Sequence, residues 1–220
     1  MSKNKLNPLS AIWEQVPPDY YYQQNFLQKL WHEWKWLVIK HLLQKNSAPR
    51  KILDIGCNSG YLTSLIARTF PQAQVTGVDV DGKIIKEARK RHLQIKYLEA
   101  DAHELPFADD QFDVVVISET IEHVRNPSQV LAEIARVLKK GGQAVIEMDS
   151  GSWLFRFIWF FWSRWGKGKV WKHAHLHPFK AWQLENLIKR CNFDIQEKIA
   201  SHFGMAITFL AFPKKQTNKD

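Results

Sequence analysis

The stretch Ile52-Leu53-Asp54-Ile55-Gly56-Cys57-Asn58-Ser59-Gly60-Tyr61-Leu62 decides the fold of this 220-residue chain. It reads as a short buried strand, a turn with two glycines, and the start of a helix. Glycine at such a turn lets the backbone approach a ligand closely, because no Cβ stands in the way. The same alternation continues outward. Further β-rich runs lie at 74–79, 95–99, 112–118 and 143–148, with helical stretches at 61–70, 82–92 and 127–138. The run Val114-Val115-Val116-Ile117 suits a strand covered on both faces. Strand and helix in alternation predict a doubly wound, mostly parallel α/β sheet. Lys139-Lys140-Gly141-Gly142 is expected to stop the 127–138 helix before the fifth strand. Beyond Asp149 come an aromatic-rich segment at 153–165, a helical stretch at 178–190 and two strands, 193–200 and 205–212, joined by Ser201-His202-Phe203-Gly204. So tight a link implies an antiparallel hairpin, which completes seven strands. Ahead of the sheet, Leu27, Leu30, Trp31, Trp34, Leu37, Val38 and Leu42 recur at helical spacing within 19–45, and Asn46-Ser47-Ala48-Pro49 ends that stretch. The expected organisation is a helical cap (1–49), a core (50–149), an aromatic and basic insertion (150–177), and a helix with hairpin (178–220) that completes the same domain.

Composition sets outer limits. Apolar residues make up 45% and charged residues 24%, an ordinary globular balance that excludes a disordered or fibrous chain. Two cysteines, Cys57 and Cys191, exclude a disulfide scaffold and read as reduced thiols of a cytoplasmic protein. The net charge of +9 favours anionic partners: a membrane surface, nucleic acid or an acidic small molecule. The first residues show no signal-peptide pattern, and no apolar run reaches the ~18–20 residues of a spanning helix. The expectation is a soluble or peripheral protein.

The second strand ends at Asp79, where an acid is placed to bind ribose hydroxyls. A dinucleotide site would carry G-x-G-x-x-G over a pyrophosphate. Here the spacing is Gly56-Cys57-Asn58-Ser59-Gly60, and Asp54 beside it would repel a pyrophosphate. An acid suits a nucleoside ligand bearing an ammonium and a sulfonium, which is S-adenosylmethionine. With these residues the chain resembles class I S-adenosylmethionine-dependent methyltransferases of the type 11 group. Asp54 to Gly60 matches their first motif and Asp79 their acidic ribose position. Glu99-Ala100-Asp101-Ala102, Leu105-Pro106-Phe107 and Phe112-Asp113-Val114-Val115 match the adenine-side motif, and Leu138-Lys139-Lys140-Gly141-Gly142 the late glycine motif. The resemblance covers residues 50–150 well and the final hairpin in outline. It implies cofactor binding by Asp54, Gly56, Cys57, Asn58, Gly60, Asp79, Val80, Asp101, Ala102 and Glu119. Asn58 stands where the family usually has glycine. Asn tolerates a left-handed backbone, so the turn is expected to survive with altered contacts to the methionyl end.

The acceptor is expected after the fourth strand, at Ser118-Glu119-Thr120-Ile121-Glu122-His123-Val124. E-x-x-E-H places Glu119, Glu122 and His123 on about one helical turn. The run resembles that of ubiquinone-biosynthesis O-methyltransferases. It also resembles metal-dependent small-RNA 2′-O-methyltransferases, in which a distant histidine completes a metal site. His175, flanked by His173 and His177, is the candidate here. Three readings stay open: a divalent metal held by Glu119, Glu122, His123 and His175; His123 as general base; and catalysis by positioning, with Glu119 lining the cofactor and Glu122 capping or pairing. The alternating histidines fit lining of an acceptor pocket better than a metal site of their own, and could also cap a helix starting at Pro178.

Residues 153–165, Trp-Leu-Phe-Arg-Phe-Ile-Trp-Phe-Phe-Trp-Ser-Arg-Trp, are too short to span a bilayer, and Lys167, Lys169 and Lys172 follow them. Aromatic residues with adjacent cations suit a helix lying in a membrane interface. Ubiquinone-type O-methyltransferases resemble this chain in having a membrane-contacting segment in that region. Trp153, Phe157, Trp159, Phe160, Trp162, His175 and His177 are therefore candidates for acceptor or membrane contact. A cover helix on the N-terminal helix and a dimer interface are the alternatives. Tyr20-Tyr21-Tyr22 is a candidate for closing over the cofactor. The favoured reading is O-methylation of a hydrophobic or amphiphilic small molecule: a lipid, quinone precursor or lipid-linked glycan. A nucleic-acid methyltransferase comes second, because the basic residues are spread out and no RNA-binding module is recognisable. A non-catalytic subunit of a membrane complex comes third.

Overall fold

The computed structural model describes residues 26–45, 48–165, 177 and 179–214. In chain order the elements are α1 (Phe26–Leu43), β1 (Lys51–Ile55), α2 (Tyr61–Thr69), β2 (Gln74–Asp79), α3 (Gly82–Arg91), β3 (Lys96–Glu99), β4 (Phe112–Ser118), α4 (Pro127–Val137), β5 (Leu138–Asp149), α5 (Trp153–Trp165), α6 (Ala181–Arg190), β6 (Phe193–Ser201), a 3-10 turn (His202–Gly204) and β7 (Ala206–Pro213). The seven strands form one sheet in the order β3-β2-β1-β4-β5-β7-β6. β1 to β5 run parallel, and β7 pairs antiparallel with both β5 and β6. The doubly wound sheet with its terminal hairpin is the expected one.

Period-2 alternation along β4 assigns its side chains to two cores. Val115 and Ile117 pack with Val130, Leu131 and Ile134 of α4 and Leu184 and Ile188 of α6. Val114 and Val116 pack with Ile39, Leu42 and Leu43 of α1 and Ile66 of α2. All four β4 residues are fully buried, which is why the run is apolar throughout. Two helix starts are locally encoded: the Asp81 side chain accepts from Lys83 N at 2.8 Å, and Asn126 accepts from Gln129 N at 3.2 Å with Pro127 following it.

Two local expectations are corrected. Lys139 to Gly142 do not end a helix: α4 stops at Val137 and β5 begins at Leu138. Leu138 already pairs with Phe112, and Lys139 reaches the Asp113 carboxylate at 2.7 Å, so sheet contacts outweigh the glycine stop signal. The segment 119–125 is turn and bend rather than helix, because Glu119 adopts a left-handed φ of 48° directly after β4. The expectations placed on Tyr20 to Tyr22, His173 and His175 lie outside the described residues.

Candidate functional site

The carboxyl ends of β1, β2 and β4 meet at the glycine turn. Gly56 has φ +74°, and a Cβ there would collide with the Thr120 side chain, so the segment after β4 lies directly against this turn. Gly60, at φ +86°, starts α2, and a Cβ on it would collide with the Tyr97 hydroxyl. Asn58 has φ 49°, the left-handed conformation expected of it. Its backbone N–H donates to Asp79 Oδ2 at 2.9 Å, while Asp81 N donates to Asp79 Oδ1 at 3.1 Å. Turn and acid are thus fixed to each other.

Asp54 is buried and accepts a 2.7 Å hydrogen bond from Thr63 Oγ1. Burial raises its carboxyl to about 7, against the Thr63 hydrogen bond and with help from the Asp79 charge. Burial also raises Asp79, against its backbone donors. The charges these two acids feel are those of Asp79 and Asp81. Such a turn disfavours a pyrophosphate and fits a ligand with cationic groups. Val80, nearly half exposed, offers an apolar surface beside Asp79. The donor set therefore fits S-adenosylmethionine. The Cys57 thiol donates to the Asn58 carbonyl of this turn at 3.6 Å. The side chain packs with Ile85, Ala88 and Tyr97, and the Cys57 backbone N–H donates to Val78 O at 3.0 Å. Asp101 Oδ1 accepts from His103 N at 2.9 Å and meets the His103 ring, and Arg125 Nη2 lies 3.4 Å from Oδ2. Burial raises Asp101, but His103 and Arg125 outweigh it and hold the carboxyl below its usual range. Ala102 packs at the edge of the α4-side core.

On the other side of Thr120 the structure assembles a group that the motif reading missed. Lys35 of α1 is 5% exposed. Its ammonium pairs with Glu119, with Glu147 Oε1 at 3.1 Å and with Asp149 Oδ1 at 3.2 Å. One oxygen from each of these carboxylates lies within 4.8 Å of the other two. Ser118 Oγ donates to the second Glu147 oxygen at 2.5 Å. Burial lowers the Lys35 pKa, but Asp149, Glu119 and Glu147 more than reverse this, so the ammonium stays charged. Burial raises Glu119, but Lys35, His32 and His123 bring it to about 2. Asp149 moves the other way, to about 7, because burial and the neighbouring carboxylates outweigh Lys35. Glu147 is raised by burial as well. His32, on the same helix, is lowered to about 4 by burial, against the pull of Glu119.

This arrangement corrects the expected metal set. Glu119 turns towards Lys35, Glu147 and Asp149, not into a shared cluster with Glu122 and His123. The cation among the three carboxylates is the lysine ammonium. Glu122 is 4% exposed, and its Oε2 has no hydrogen-bond partner among the described residues. Burial and the charges of Asp149, Glu119 and Glu147 push its pKa well up. His123 is half-buried and lies in Coulomb reach of Glu119. The backbone N–H of His177 donates to Glu122 O at 2.9 Å, and its ring stacks on Phe179 at 5.5 Å. His177 thus borders the Glu122 turn. Two signals in the sequence pointed to the missed group. Lys35 shares a helix face with the buried Val38, Ile39 and Leu42, and Glu147 interrupts a buried strand run.

α5 follows β5 at once, with Ser152 Oγ accepting from Phe155 N at 3.2 Å. Trp153 is 79% and Phe157 59% exposed, and Phe160 and Phe161 are also exposed. These four residues, Arg156 and Lys180 line an open groove, and Arg164 lies over the Phe160 ring at 4.8 Å. The side chains of Trp159 and Trp162 are outside the description.

A family model described as a methyltransferase domain matches residues 53–146. A demethylmenaquinone methyltransferase of Lysinibacillus sphaericus is 30% identical over 71% of this chain and 71% of its own length. A ubiquinone/menaquinone biosynthesis C-methyltransferase of Desulfotalea psychrophila is 40% identical over 43% of this chain and 39% of its own. A fatty-acid O-methyltransferase of Mycolicibacterium smegmatis is 37% identical over 42% of this chain and 35% of its own. The chain spans about half the length, or less, of several curated relatives it matches. Among solved structures, an S-adenosylmethionine-dependent methyltransferase of Thermotoga maritima superposes with a TM-score of 0.69 at 21% identity, covering 93% of this chain and 99% of that one.

Proposed function

Because this chain belongs to the class I S-adenosylmethionine-dependent methyltransferases, we propose that it methylates an oxygen of a hydrophobic or amphiphilic small molecule met at a lipid surface. The observation that carries this reading is the exposed aromatic face of α5, flanked by Arg156, Arg164 and Lys180, immediately after β5. No helix among the described residues is long and apolar enough to cross a membrane, so the reading is of a helix lying on the surface. Relatives named for menaquinone precursors and a fatty acid support a lipid-like acceptor.

When bound, S-adenosylmethionine supplies an electrophilic methyl group. The chain's own residues bind and orient. Asp79, fixed by Asn58 N and Asp81 N, holds ribose hydroxyls, and the missing Cβ of Gly56 makes room for the Thr120 side chain, which brings the segment after β4 up against the turn. Lys35 holds Glu119, Glu147 and Asp149 in one arrangement at the acceptor end. Glu119, already paired and held near 2, is a poor base. Glu122 is the better candidate to exchange a proton with the acceptor: one of its oxygens has no hydrogen-bond partner among the described residues, and its raised pKa makes it, once deprotonated, a stronger base than Glu119. Methylation at carbon is the second reading, since one relative is named a C-methyltransferase.

The test is incubation of the protein with methyl-labelled cofactor and total membrane lipid, followed by solvent partition. Label in the organic phase is expected. If it leaves as methanol in mild alkali, it sits on an ester oxygen; alkali-stable label points to an ether or to carbon. Label confined to the aqueous phase, with soluble extract as acceptor, would overturn the lipid-surface reading.

A further inference from the structure

Asp101 stands one residue beyond Ala100, whose N–H donates to the Asp79 carbonyl at 2.9 Å, and β2 pairs with β3 at Asp79 and Glu99. The sheet therefore sets Asp101 beside the acid assigned to the ribose. Its carboxylate is divided between two tasks. Oδ1 accepts His103 N at 2.9 Å and meets His103 Nδ1 at 2.5 Å. Oδ2 meets Arg125 Nη2 at 3.4 Å, from an exposed side chain, and Asp101 is itself only half-buried. Oδ2 is thus the oxygen left to a ligand.

A second contact fixes which ring nitrogen of His103 carries the hydrogen. Asn126 N donates to His103 Nε2 at 3.0 Å. A backbone N–H only donates, so Nε2 offers a lone pair and the ring hydrogen sits on Nδ1, aimed at Asp101. The loop that carries the ring is clamped to α4. Gln129 Nε2 donates to His103 O at 2.9 Å, Glu133 accepts from Leu105 N at 2.7 Å, and Arg136 donates to the Leu105 and Phe107 carbonyls. Asn126 is the cap of α4 and closes the segment that begins at Glu119. One ring therefore joins Asp101 to the start of α4.

We propose that His103 is a positioning residue for the adenine end of the cofactor: its Nδ1–H holds Asp101 Oδ1 so that Oδ2 accepts the exocyclic amine of the base. This rests on the cofactor assignment above, which includes Asp101 and gives His103 no role. A carboxylate only accepts, and the amine is the donor that adenine offers at its edges. An Asp side chain with no such partner gives up rotamer freedom when it meets a ligand; one already held does not. With Oδ1 occupied, the carboxylate presents one acceptor in one direction. A purine with a carbonyl in place of the amine would set two acceptors against each other, so the same arrangement selects adenine.

The test is calorimetric titration of the full chain with S-adenosylmethionine, comparing three substitutions at one position. His103→Ala removes both ring contacts and should weaken binding about tenfold, the weight of one hydrogen bond to a charged group. His103→Asn puts an amide nitrogen near the place of Nδ1 and should restore most of the affinity. His103→Gln puts an amide oxygen near the place of Nε2, where it can take the Asn126 N–H, and leaves Asp101 unheld. It should bind as weakly as His103→Ala while melting closer to the unmodified chain. Rescue by Gln and not by Asn would make the ring a pin for the loop alone and overturn the proposal, as would full affinity in His103→Ala. Adding His103→Ala to Asp101→Ala should cause no further loss, since nothing remains to be held; another tenfold loss overturns the proposal. The unmodified chain gives a check that needs no variant to fold. S-inosylhomocysteine, with a carbonyl in place of the amine, should bind at least about tenfold more weakly than S-adenosylhomocysteine, and equal affinity would overturn the proposal. Failure of the unmodified chain to bind either adenosyl ligand would overturn the cofactor assignment itself.

Discussion

On the β1–β2 side, Asp79 is held by backbone N–H groups of Asn58 and Asp81, close to it in the chain or directly across the turn. On the β4–β5 side, Glu119, Glu147 and Asp149 are held by one side chain, Lys35, from a helix that precedes the whole sheet. The first arrangement is built by strand ends and a turn, so the sheet fixes it once it forms. The second depends on a distant helix docking with its cation in place. The two sides therefore respond differently to substitution.

Lys35→Met should have the largest effect. It leaves three carboxylates at a site where Glu147 is fully buried and Asp149 nearly so, and breaking a buried pair in this way costs about 3–5 kcal/mol. Denaturant unfolding measures the loss, and Lys35→Arg should recover part of it by keeping the charge. A loss below about 1 kcal/mol would show that α1 docks by its apolar face alone, through Ile39, Leu42 and Leu43.

Asp54→Asn should act in the opposite direction. Asp54 in the folded chain titrates at about 7, against 3.8 for the free group. The folded state therefore holds a proton that the unfolded state releases as pH rises past 4, so Asp54 makes stability fall between about pH 4 and pH 7. Asn keeps an acceptor for Thr63 and carries no charge. Unfolding free energy should rise at pH 8, by on the order of 4 kcal/mol, and barely change at pH 4. Equal shifts at both pH values would mean that Asp54 is ionised in the fold without cost.

The same contrast explains how much was legible in advance. Gly56, Asn58, Gly60 and Asp79 announce themselves because a tight turn after a buried strand needs particular residue types at short spacing. Asn58 at φ 49° is the residue that type of turn tolerates best after glycine. The strands were equally plain, since Val114 to Ile117 alternate between two apolar cores. Lys35 with Glu119, Glu147 and Asp149 was hidden because nothing local ties Lys35 to Glu147. The helical spacing assigned to Glu119, Glu122 and His123 failed for a related reason. Leaving β4 with its carboxylate aimed at Lys35, Glu119 takes a left-handed φ that breaks a helix at its first residue.

Asp79→Ala should weaken cofactor binding and cost about 1–3 kcal/mol of stability, because the N–H groups of Asn58 and Asp81 lose their acceptor. Hydrogen bonds to a charged group contribute ~1.5–3 kcal/mol, so affinity should fall roughly tenfold to a hundredfold in calorimetry. A fall as large in Lys35→Met as in Asp79→Ala would mean that the two sides are energetically one site.

The smallest effect on stability is expected at α5. Trp153 and Phe157 are 79% and 59% exposed, so Trp153→Ala with Phe157→Ala removes little buried surface. Surface changes of this kind stay within about 0.5 kcal/mol. Their effect on vesicles should be far larger. Each ring withdrawn from a lipid interface forfeits roughly 1.5–3 kcal/mol of apolar transfer when fully buried, and less when it lies half in the headgroups. Co-sedimentation with vesicles containing anionic lipid should therefore drop severalfold for the double variant, and added salt should weaken the unmodified chain's binding through Arg156, Arg164 and Lys180. A variant that loses stability but keeps its vesicle binding would reverse the assignment. α5 would then be a cover for the fold, and the acceptor would reach Glu122 from water.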